Sequence, residues 1–192
     1  MQITETPNED LTLKAFDNQL QPSKQLHPDL LQPPFTLMMV GPKGSSKTTT
    51  ILRLIYGNNK TKKCTNCYHK FYRHFFHKIY VFSPTWSNDA KTARCKIPDD
   101  QIFEDVEDYE AIIQEILDGQ EEDIREDGKD EADDILLIFS DLAGTKFYSN
   151  KKGILNKVAF NHHHYKVSVI LDSQSLRQIC APFRNNLSGV MF

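Results

Sequence analysis

The chain has 192 residues and a net charge of −3, which is enough length for one domain with a sizeable core. Four cysteines do not make the disulfide framework of a secreted domain, so a reducing compartment is expected. No apolar run approaches the ~20 residues of a membrane-spanning helix. Residues 1–6 also lack the basic start and apolar stretch of a signal peptide. We therefore expect a protein that is neither secreted nor membrane-spanning.

Charge is distributed unevenly along the chain. Residues 99–134 hold 18 of the 26 acidic residues and only two basic ones, which gives this segment a net charge of −16 and the remainder +13. Such asymmetry predicts a basic working surface and an acidic appendage.

The first predicted elements are an arm and a buried strand. Residues 1–34 are polar and rich in proline, which predicts an N-terminal arm that is extended or made of loosely packed strands. The main domain is expected over residues 35–192. Five of the six residues 35–40 are apolar, as in a buried strand, and a helix is expected to follow from the loop to about Tyr56.

The segment between this strand and helix follows the phosphate-binding loop (P-loop) pattern G-x-x-x-x-G-K-[ST], with Ser46 in place of the last glycine. Backbone N–H groups of such a loop cradle a polyphosphate, the lysine reaches the β- and γ-phosphates, and the hydroxyl after it helps to hold Mg²⁺. A serine before the lysine crowds the phosphates and predicts weaker binding. The alternative is an ordinary surface turn. The residues expected at ATP are Gly41, Pro42, Lys43, Gly44, Ser45, Ser46, Lys47, Thr48 and Thr49.

Further strands and helices alternate along the rest of the chain. Strands are predicted over 78–83, 135–139, 166–171 and 187–192, and helices over 109–117 and about 149–160. This alternation predicts an α/β fold with a mainly parallel central sheet flanked by helices. An acidic flexible loop is expected at about 120–134, with DNA mimicry or metal binding as the alternative role. The chain stops inside a predicted core strand, so either C-terminal residues are missing or the sheet ends there.

Three polar residues follow predicted strands at positions where a P-loop enzyme needs them. Asp141 ends the strand 135–139 and suits a Walker B acid, which holds Mg²⁺ or polarises water. Motor ATPases usually have two adjacent acids here, and Ser140 occupies one of the two positions, so the spacing leaves open which role Asp141 takes. Gln174 is a candidate γ-phosphate sensor, and Arg184 is a candidate arginine finger. The alternatives are a helix-capping Asp141, a loop glutamine and a surface arginine.

The connection 57–77 is basic and aromatic. Its cations suit sequence-independent contacts with DNA phosphates, and the alternative is a solvated loop with some of the aromatic side chains buried. Over residues 60–78 the basic residues are Lys60, Lys62, Lys63, Lys70, Arg73 and Lys78 and the aromatic residues are Tyr68, Phe71, Tyr72, Phe75 and Phe76, while Lys151, Lys152 and Lys157 are further candidates.

Cysteines and histidines in the same connection raise a second possibility. Cys64 and Cys67, with His74 and His77, offer four ligands for a tetrahedral Zn²⁺ site, but the gap between the pairs is shorter than usual in zinc fingers. Reduced, unliganded thiols are the alternative. The consecutive residues 162–164 are all histidine, and they are expected to mark a helix end because neighbouring side chains cannot meet at one ion.

Four sequence blocks, at 40–48, 79–89, 136–142 and 162–186, resemble in this order the viral DNA-packaging ATPases of the poxvirus type. Relatives of these ATPases occur in virophages and Polinton elements, and they form a branch of the FtsK–HerA motors. The resemblance implies a RecA-like ASCE fold and an oligomeric ring that moves double-stranded DNA into a capsid, with capsid or portal-type proteins as partners. It also implies ATP and Mg²⁺ at Lys47 and Thr48, a Walker B role for Asp141, a sensor role for Gln174 and a trans-acting Arg184. Its expected location is the host cytoplasm or viral factory, or the virion.

Two rival functions are also consistent with the P-loop. Ser46 and Ser140 could leave a degenerate protein that binds nucleotide and DNA without hydrolysis. A small-molecule or nucleotide kinase would need an arginine-rich lid, and the charged segment 120–134 is acidic instead.

Overall fold

The central sheet has six parallel strands in the order β3-β2-β4-β5-β1-β6. The computed structural model describes residues 26, 28–56, 71–92, 95 and 97–192. The strands are β1 Thr36–Val40, β2 Lys78–Phe82, β3 Ile102–Phe103, β4 Ile135–Phe139, β5 Val167–Ser173 and β6 Gly189–Met191. The P-loop strand β1 and the strand β4, which precedes Asp141, are therefore separated by β5. The RecA-like α/β fold expected from the sequence is confirmed.

Five helices connect these strands in the described ranges. They are α1 Lys47–Tyr56, α2 Tyr109–Asp127, α3 Lys146–Ser149, α4 Ile154–Asn161 and α5 Ala181–Asn185. Short 3₁₀ turns lie at Trp86–Asn88, Asp99–Gln101 and Leu176–Gln178. None of these helices is long and apolar enough to cross a membrane.

Both faces of the sheet are covered, which explains the continuous apolar sequence of β4. All five residues of β4 are buried, and they alternate between two hydrophobic clusters. Leu136 and Ile138 pack on the side of α1, whereas Leu137 and Phe139 pack on the side of α2 and α4. A strand that is buried on both faces needs apolar side chains in both directions.

The acidic segment differs from its prediction. Helix α2 does not end by Gly119 but continues through the acidic residues to Asp127, so the expected loop at 120–127 is helical. Glutamate and glutamine are good helix formers, and Gln120 is buried with its side-chain amide donating to the Asp133 carbonyl at 2.7 Å. Gly128, at φ 90°, ends the helix by donating from its N–H to the Ile124 carbonyl.

Two other boundaries also differ from the sequence prediction. The helix expected over 149–160 is two short helices, α3 and α4, with a break at 150–153. The segment that contains Pro182, expected as a loop, forms α5, because proline is tolerated in the first turn of a helix. At the end of the expected N-terminal arm, Leu26, Leu30 and Leu31 pack against the hydrophobic cluster on the α1 side.

Candidate nucleotide-binding site

Four strands bring the candidate residues together at one edge of the sheet. The carboxyl ends of parallel strands meet at the same edge, where α/β proteins bind their ligands. β1 leads into the P-loop, β2 towards Thr85, β4 into Asp141 and β5 into Gln174. Together they line a cavity of about 500 Å³. Its lining residues are Lys43, Gly44, Ser45, Ser46, Lys47, Thr48, Thr85, Asp89, Lys91, Asp141, Ala143, Asp172, Ser173 and Gln174.

The P-loop is held by its own backbone and by β5. The Gly41 N–H donates to the Ser173 carbonyl at 3.1 Å, and the Lys47 ammonium donates to the Gly41 carbonyl at 2.8 Å and the Pro42 carbonyl at 3.1 Å. A Cβ at Gly41 would lie 2.5 Å from the Ser45 Oγ, so a larger residue at that position would require the Ser45 side chain to move. Gly41 and Pro42 line an adjoining concavity, while Thr49 does not line the main cavity.

Ser46, the departure from the P-loop pattern, has a backbone consequence. Its φ is 63°, in the left-handed region that glycine adopts freely and other residues adopt at a cost of about 1 kcal/mol. The serine therefore keeps the backbone conformation that suits a glycine. The cost of this substitution includes backbone strain as well as the expected crowding of a phosphate.

Asp141 is held by a residue from the segment after β2. It also has a positive φ, at 57°, and its Oδ2 accepts a hydrogen bond of 2.7 Å from the Thr85 hydroxyl. This contact gives a physical role to the Ser-Pro-Thr sequence after β2. The sequence pattern alone assigned Thr85 no contact with the Walker B acid.

A second carboxylate, which sequence reasoning missed, lies beside Asp141. Asp172 in β5 is only 3% exposed; its Oδ2 accepts from the Ser140 hydroxyl at 2.8 Å and its Oδ1 from the Asp141 N–H at 3.2 Å. Its place two residues before Gln174, at the carboxyl end of a strand, was the available sequence signal. Burial raises the pKa of Asp172; its hydrogen bonds and the positive charge of Lys47 oppose this shift, and the charge of Asp141 adds to it.

Tyr148 joins the two acid-bearing strands beneath the cavity. Its side chain is fully buried, and its hydroxyl lies 3.2 Å from the Phe139 carbonyl and 3.0 Å from the Asp172 carbonyl, to which it donates. Burial raises the pKa of Tyr148 far above its usual range, so the hydroxyl remains a donor. This tyrosine holds the ends of β4 and β5 together.

The donor set of the cavity fits Mg²⁺. The Thr48 hydroxyl and the carboxylates of Asp141 and Asp172 line the same space, and Mg²⁺ prefers such oxygen ligands. The N–H groups at the start of α1 and the amine of Lys47 suit the phosphates of a nucleotide. The residues present can therefore hold both ATP and its metal.

Comparison with known families decides the classification. The family model described as "Poxvirus A32 protein" matches residues 23–191. The chain belongs to the poxvirus A32 protein family. The resemblance to viral DNA-packaging ATPases of the poxvirus type, which the four sequence blocks carried, is confirmed. Comparison with curated proteins gives no match.

Two solved structures are similar to most of this chain. EssC (ATPases 2 and 3) from Geobacillus thermodenitrificans has 14% identity and a TM-score of 0.48, over 83% of this chain and 33% of that chain. The cytoplasmic domain of EssC has 14% identity and a TM-score of 0.49, over 82% of this chain and 32% of that chain. The chain thus spans about a third of the length of each EssC chain.

Within the A32-family fold, the two remaining site candidates have different positions. Gln174 is exposed and lines the cavity. Arg184 does not line it; this arginine is half-buried in α5, and its Nη1 donates to the Leu176 carbonyl at 3.5 Å. The structure thus brings Lys47, Thr48, Asp141 and Gln174 together, and leaves the trans-acting role of Arg184 a prediction.

The segment expected to contact DNA lies mostly outside the described residues, including Lys60, Lys62, Lys63, Tyr68 and Lys70. Three of its four described aromatic residues pack into the core: Tyr72 and Phe76 are buried against Phe35, with Phe75 packed beside them. Phe71 is 38% exposed. Lys78 forms an ion pair of 3.1 Å with Asp133. For Tyr72, Phe75 and Phe76 the alternative of burial is correct, whereas a DNA contact by the remaining residues of the segment stays a prediction.

The zinc prediction falls partly outside the described residues, because Cys64 and Cys67 are not described. In the described ranges, His77 Nδ1 accepts from the Asp134 N–H at 2.9 Å, and His74 Nε2 accepts from the Arg73 side chain at 2.9 Å. The described ranges contain no cluster of three metal-binding side chains. The histidines at 162–164 follow the last residue of α4, as predicted for a helix end.

Proposed function

We propose that this chain is an Mg²⁺-dependent ATPase that acts as one subunit of an oligomeric ring and moves double-stranded DNA into a capsid. The observation that supports this most strongly is that Lys47, Thr48, Asp141 and Gln174 all line one cavity at the carboxyl edge of the sheet. Membership of the A32 family supports the packaging role.

Each residue has a distinct task in this proposal. The loop 41–48 and the Lys47 amine bind the triphosphate, and the Thr48 hydroxyl and the Asp141 carboxylate hold Mg²⁺, which neutralises the charge that develops on the phosphates. Gln174 orients the attacking water beside the γ-phosphate. Arg184 of one subunit acts on the nucleotide of its neighbour. Cations outside the cavity contact DNA phosphates without reading sequence.

The strongest rival is a protein that binds nucleotide without hydrolysing it. Two observations favour this rival: the strained backbone at Ser46 and the presence of Ser140 where motor ATPases usually carry an acid. Hydrolysis and binding must therefore be measured separately on the same sample.

The test compares the chain with Lys47→Ala, using Lys129→Ala as a control with the same change of charge outside the cavity. A fluorescent ATP analogue measures affinity, and phosphate release measures turnover, each with Mg²⁺ and with EDTA. The proposal predicts Mg²⁺-dependent turnover that Lys47→Ala abolishes and Lys129→Ala retains. Nucleotide binding without turnover, in an assembled sample, would favour the rival.

A further inference from the structure

The buried pair formed by Ser140 and Asp172 lies where the Walker B strand lacks an acid. Ser140 is 1% exposed and Asp172 is 3% exposed, and their side chains are joined by a hydrogen bond of 2.8 Å. A buried carboxylate is costly unless its oxygens are hydrogen-bonded, and here each oxygen accepts one bond. Asp172 nevertheless lines the cavity shared by Lys47, Thr48 and Asp141.

We propose that Asp172 supplies the second carboxylate of the ATPase site, from the strand next to the one that ordinarily carries it. Compared with a site that has an acid after β4 and a hydroxyl in β5, this chain has the same two groups in exchanged positions. Here the hydroxyl of Ser140 follows β4 and the carboxylate of Asp172 lies in β5. This inference rests on the proposed ATPase function and assigns one further residue to it.

The contacts define what Asp172 does. Its Oδ1 accepts from the Asp141 N–H, so it fixes the backbone of a residue held at φ 57°. Thr85 holds the Asp141 side chain from the other side. Asp172 is therefore a positioning residue, which aims the Asp141 carboxylate and adds negative charge beside the metal. Groups that orient a metal-binding carboxylate typically change metal affinity or activity by 10–100-fold when they are removed.

A structural role elsewhere in the sheet would give a different result. The matched comparison is Ser168, which is also buried in β5 but lies at the other end of the strand, where its Oγ accepts from the Phe35 N–H at 3.3 Å. Loss of either group disturbs β5, but only loss of the Asp172 carboxylate removes charge from the cavity.

The first experiment measures the affinity of a fluorescent ATP analogue with Mg²⁺ and with EDTA, in the full chain, for Asp172→Asn and Ser168→Ala. We expect Asp172→Asn to weaken the Mg²⁺-dependent affinity about tenfold or more while the affinity in EDTA changes less than about twofold. Ser168→Ala should leave the ratio of the two affinities unchanged. A parallel loss in both conditions, or no loss, would overturn the inference.

The second experiment exchanges the pair. Asp172→Ser alone should reduce the Mg²⁺-dependent gain in affinity, and the double variant Ser140→Asp with Asp172→Ser should recover part of it, because one carboxylate again faces one hydroxyl. A double variant with wild-type thermal stability and no recovery would contradict the inference. If the double variant does not fold, the ratio of the affinities of Asp172→Asn with Mg²⁺ and with EDTA tests the inference alone. If the unmodified chain binds no nucleotide in either condition, it is the proposed function that fails.

Discussion

The Thr85 hydroxyl donates a hydrogen bond of 2.7 Å to the Oδ2 of Asp141, between the end of β4 and the segment after β2. These residues are 56 positions apart in sequence, and both line the candidate nucleotide cavity. A carboxylate that is to hold a metal must be oriented, and this hydroxyl supplies one of the two contacts that orient it. The Asp172 carboxylate supplies the other, through the Asp141 N–H.

Removal of the Thr85 hydroxyl should slow hydrolysis more than it weakens nucleotide binding. Thr85→Val keeps the volume of the side chain but removes the donor, so Asp141 loses its fixed orientation. We expect kcat to fall about tenfold or more and KM for ATP to change little. Thr85→Ser, which keeps the hydroxyl, should recover most of the rate. Equal rates in Thr85→Val and the unmodified chain would show that the contact is unimportant.

Ser46→Gly should stabilise the protein. Glycine adopts the φ of 63° without strain, and this gain exceeds the added entropy of the unfolded chain, so we expect about 0.5–1 kcal/mol more free energy of unfolding. Tighter nucleotide binding should accompany it. Denaturant unfolding gives the comparison, with Ser45→Gly as the control, since Ser45 does not adopt a positive φ. Stabilisation of both variants by the same amount would argue against strain at Ser46.

His162 should make the protein less stable in acid. It is 5% exposed, its Nδ1 lies 3.0 Å from the Ala159 carbonyl, and burial and the neighbouring His163 lower its pKa. The folded protein therefore favours neutral imidazole. Its contribution to stability is complete above the unfolded pKa of about 6.5 and is lost as the pH falls through that value and the lower folded pKa.

The comparison that isolates this effect is His162→Gln against His164→Gln, because His164 is exposed. Free energies of unfolding from pH 8 to pH 5 should fall less steeply for His162→Gln than for the unmodified chain. The slope of His164→Gln should match the unmodified chain. Identical slopes in all three proteins would exclude His162 as the source of the pH dependence.

Arg184 and Lys47 should complement one another between subunits. Lys47→Ala and Arg184→Ala rings should each be inactive, but mixed rings contain interfaces at which an intact Arg184 faces an intact Lys47 site. We expect mixing to restore part of the ATPase rate. Arg177→Ala, which changes an exposed arginine in the 3₁₀ turn after Gln174, is the control and should need no complementation. Absence of any gain on mixing would remove the trans-acting role of Arg184.

Local signals were sufficient for much of this fold. The P-loop, its strand and its helix follow from spacing and apolar pattern, and α1 ends at Tyr56 as expected. The continuous apolar sequence of β4 correctly indicated burial on both faces. These features depend on neighbours in sequence, which is why they could be predicted.

The rest depends on contacts between distant residues. Helix α2 continues past Gly119, where the Gln120 side-chain amide donates a hydrogen bond to the Asp133 carbonyl. No local sequence pattern predicts that contact. The sequence suggested that Tyr72 could contact DNA, but in the structure its ring packs against Phe35. The role proposed for Asp172 depends on the strand order, which places β5 between β1 and β4. A carboxylate on one strand and a serine on the next reveal their pairing only in the folded sheet.

The most direct test of the central claim is ATP hydrolysis with and without long double-stranded DNA, in assembled protein and over a range of salt concentrations. The account predicts that DNA stimulates turnover, that stimulation weakens as salt rises because phosphate contacts release counterions, and that Lys47→Ala abolishes it. Turnover that is unchanged by DNA at every salt concentration would contradict a DNA-translocating motor.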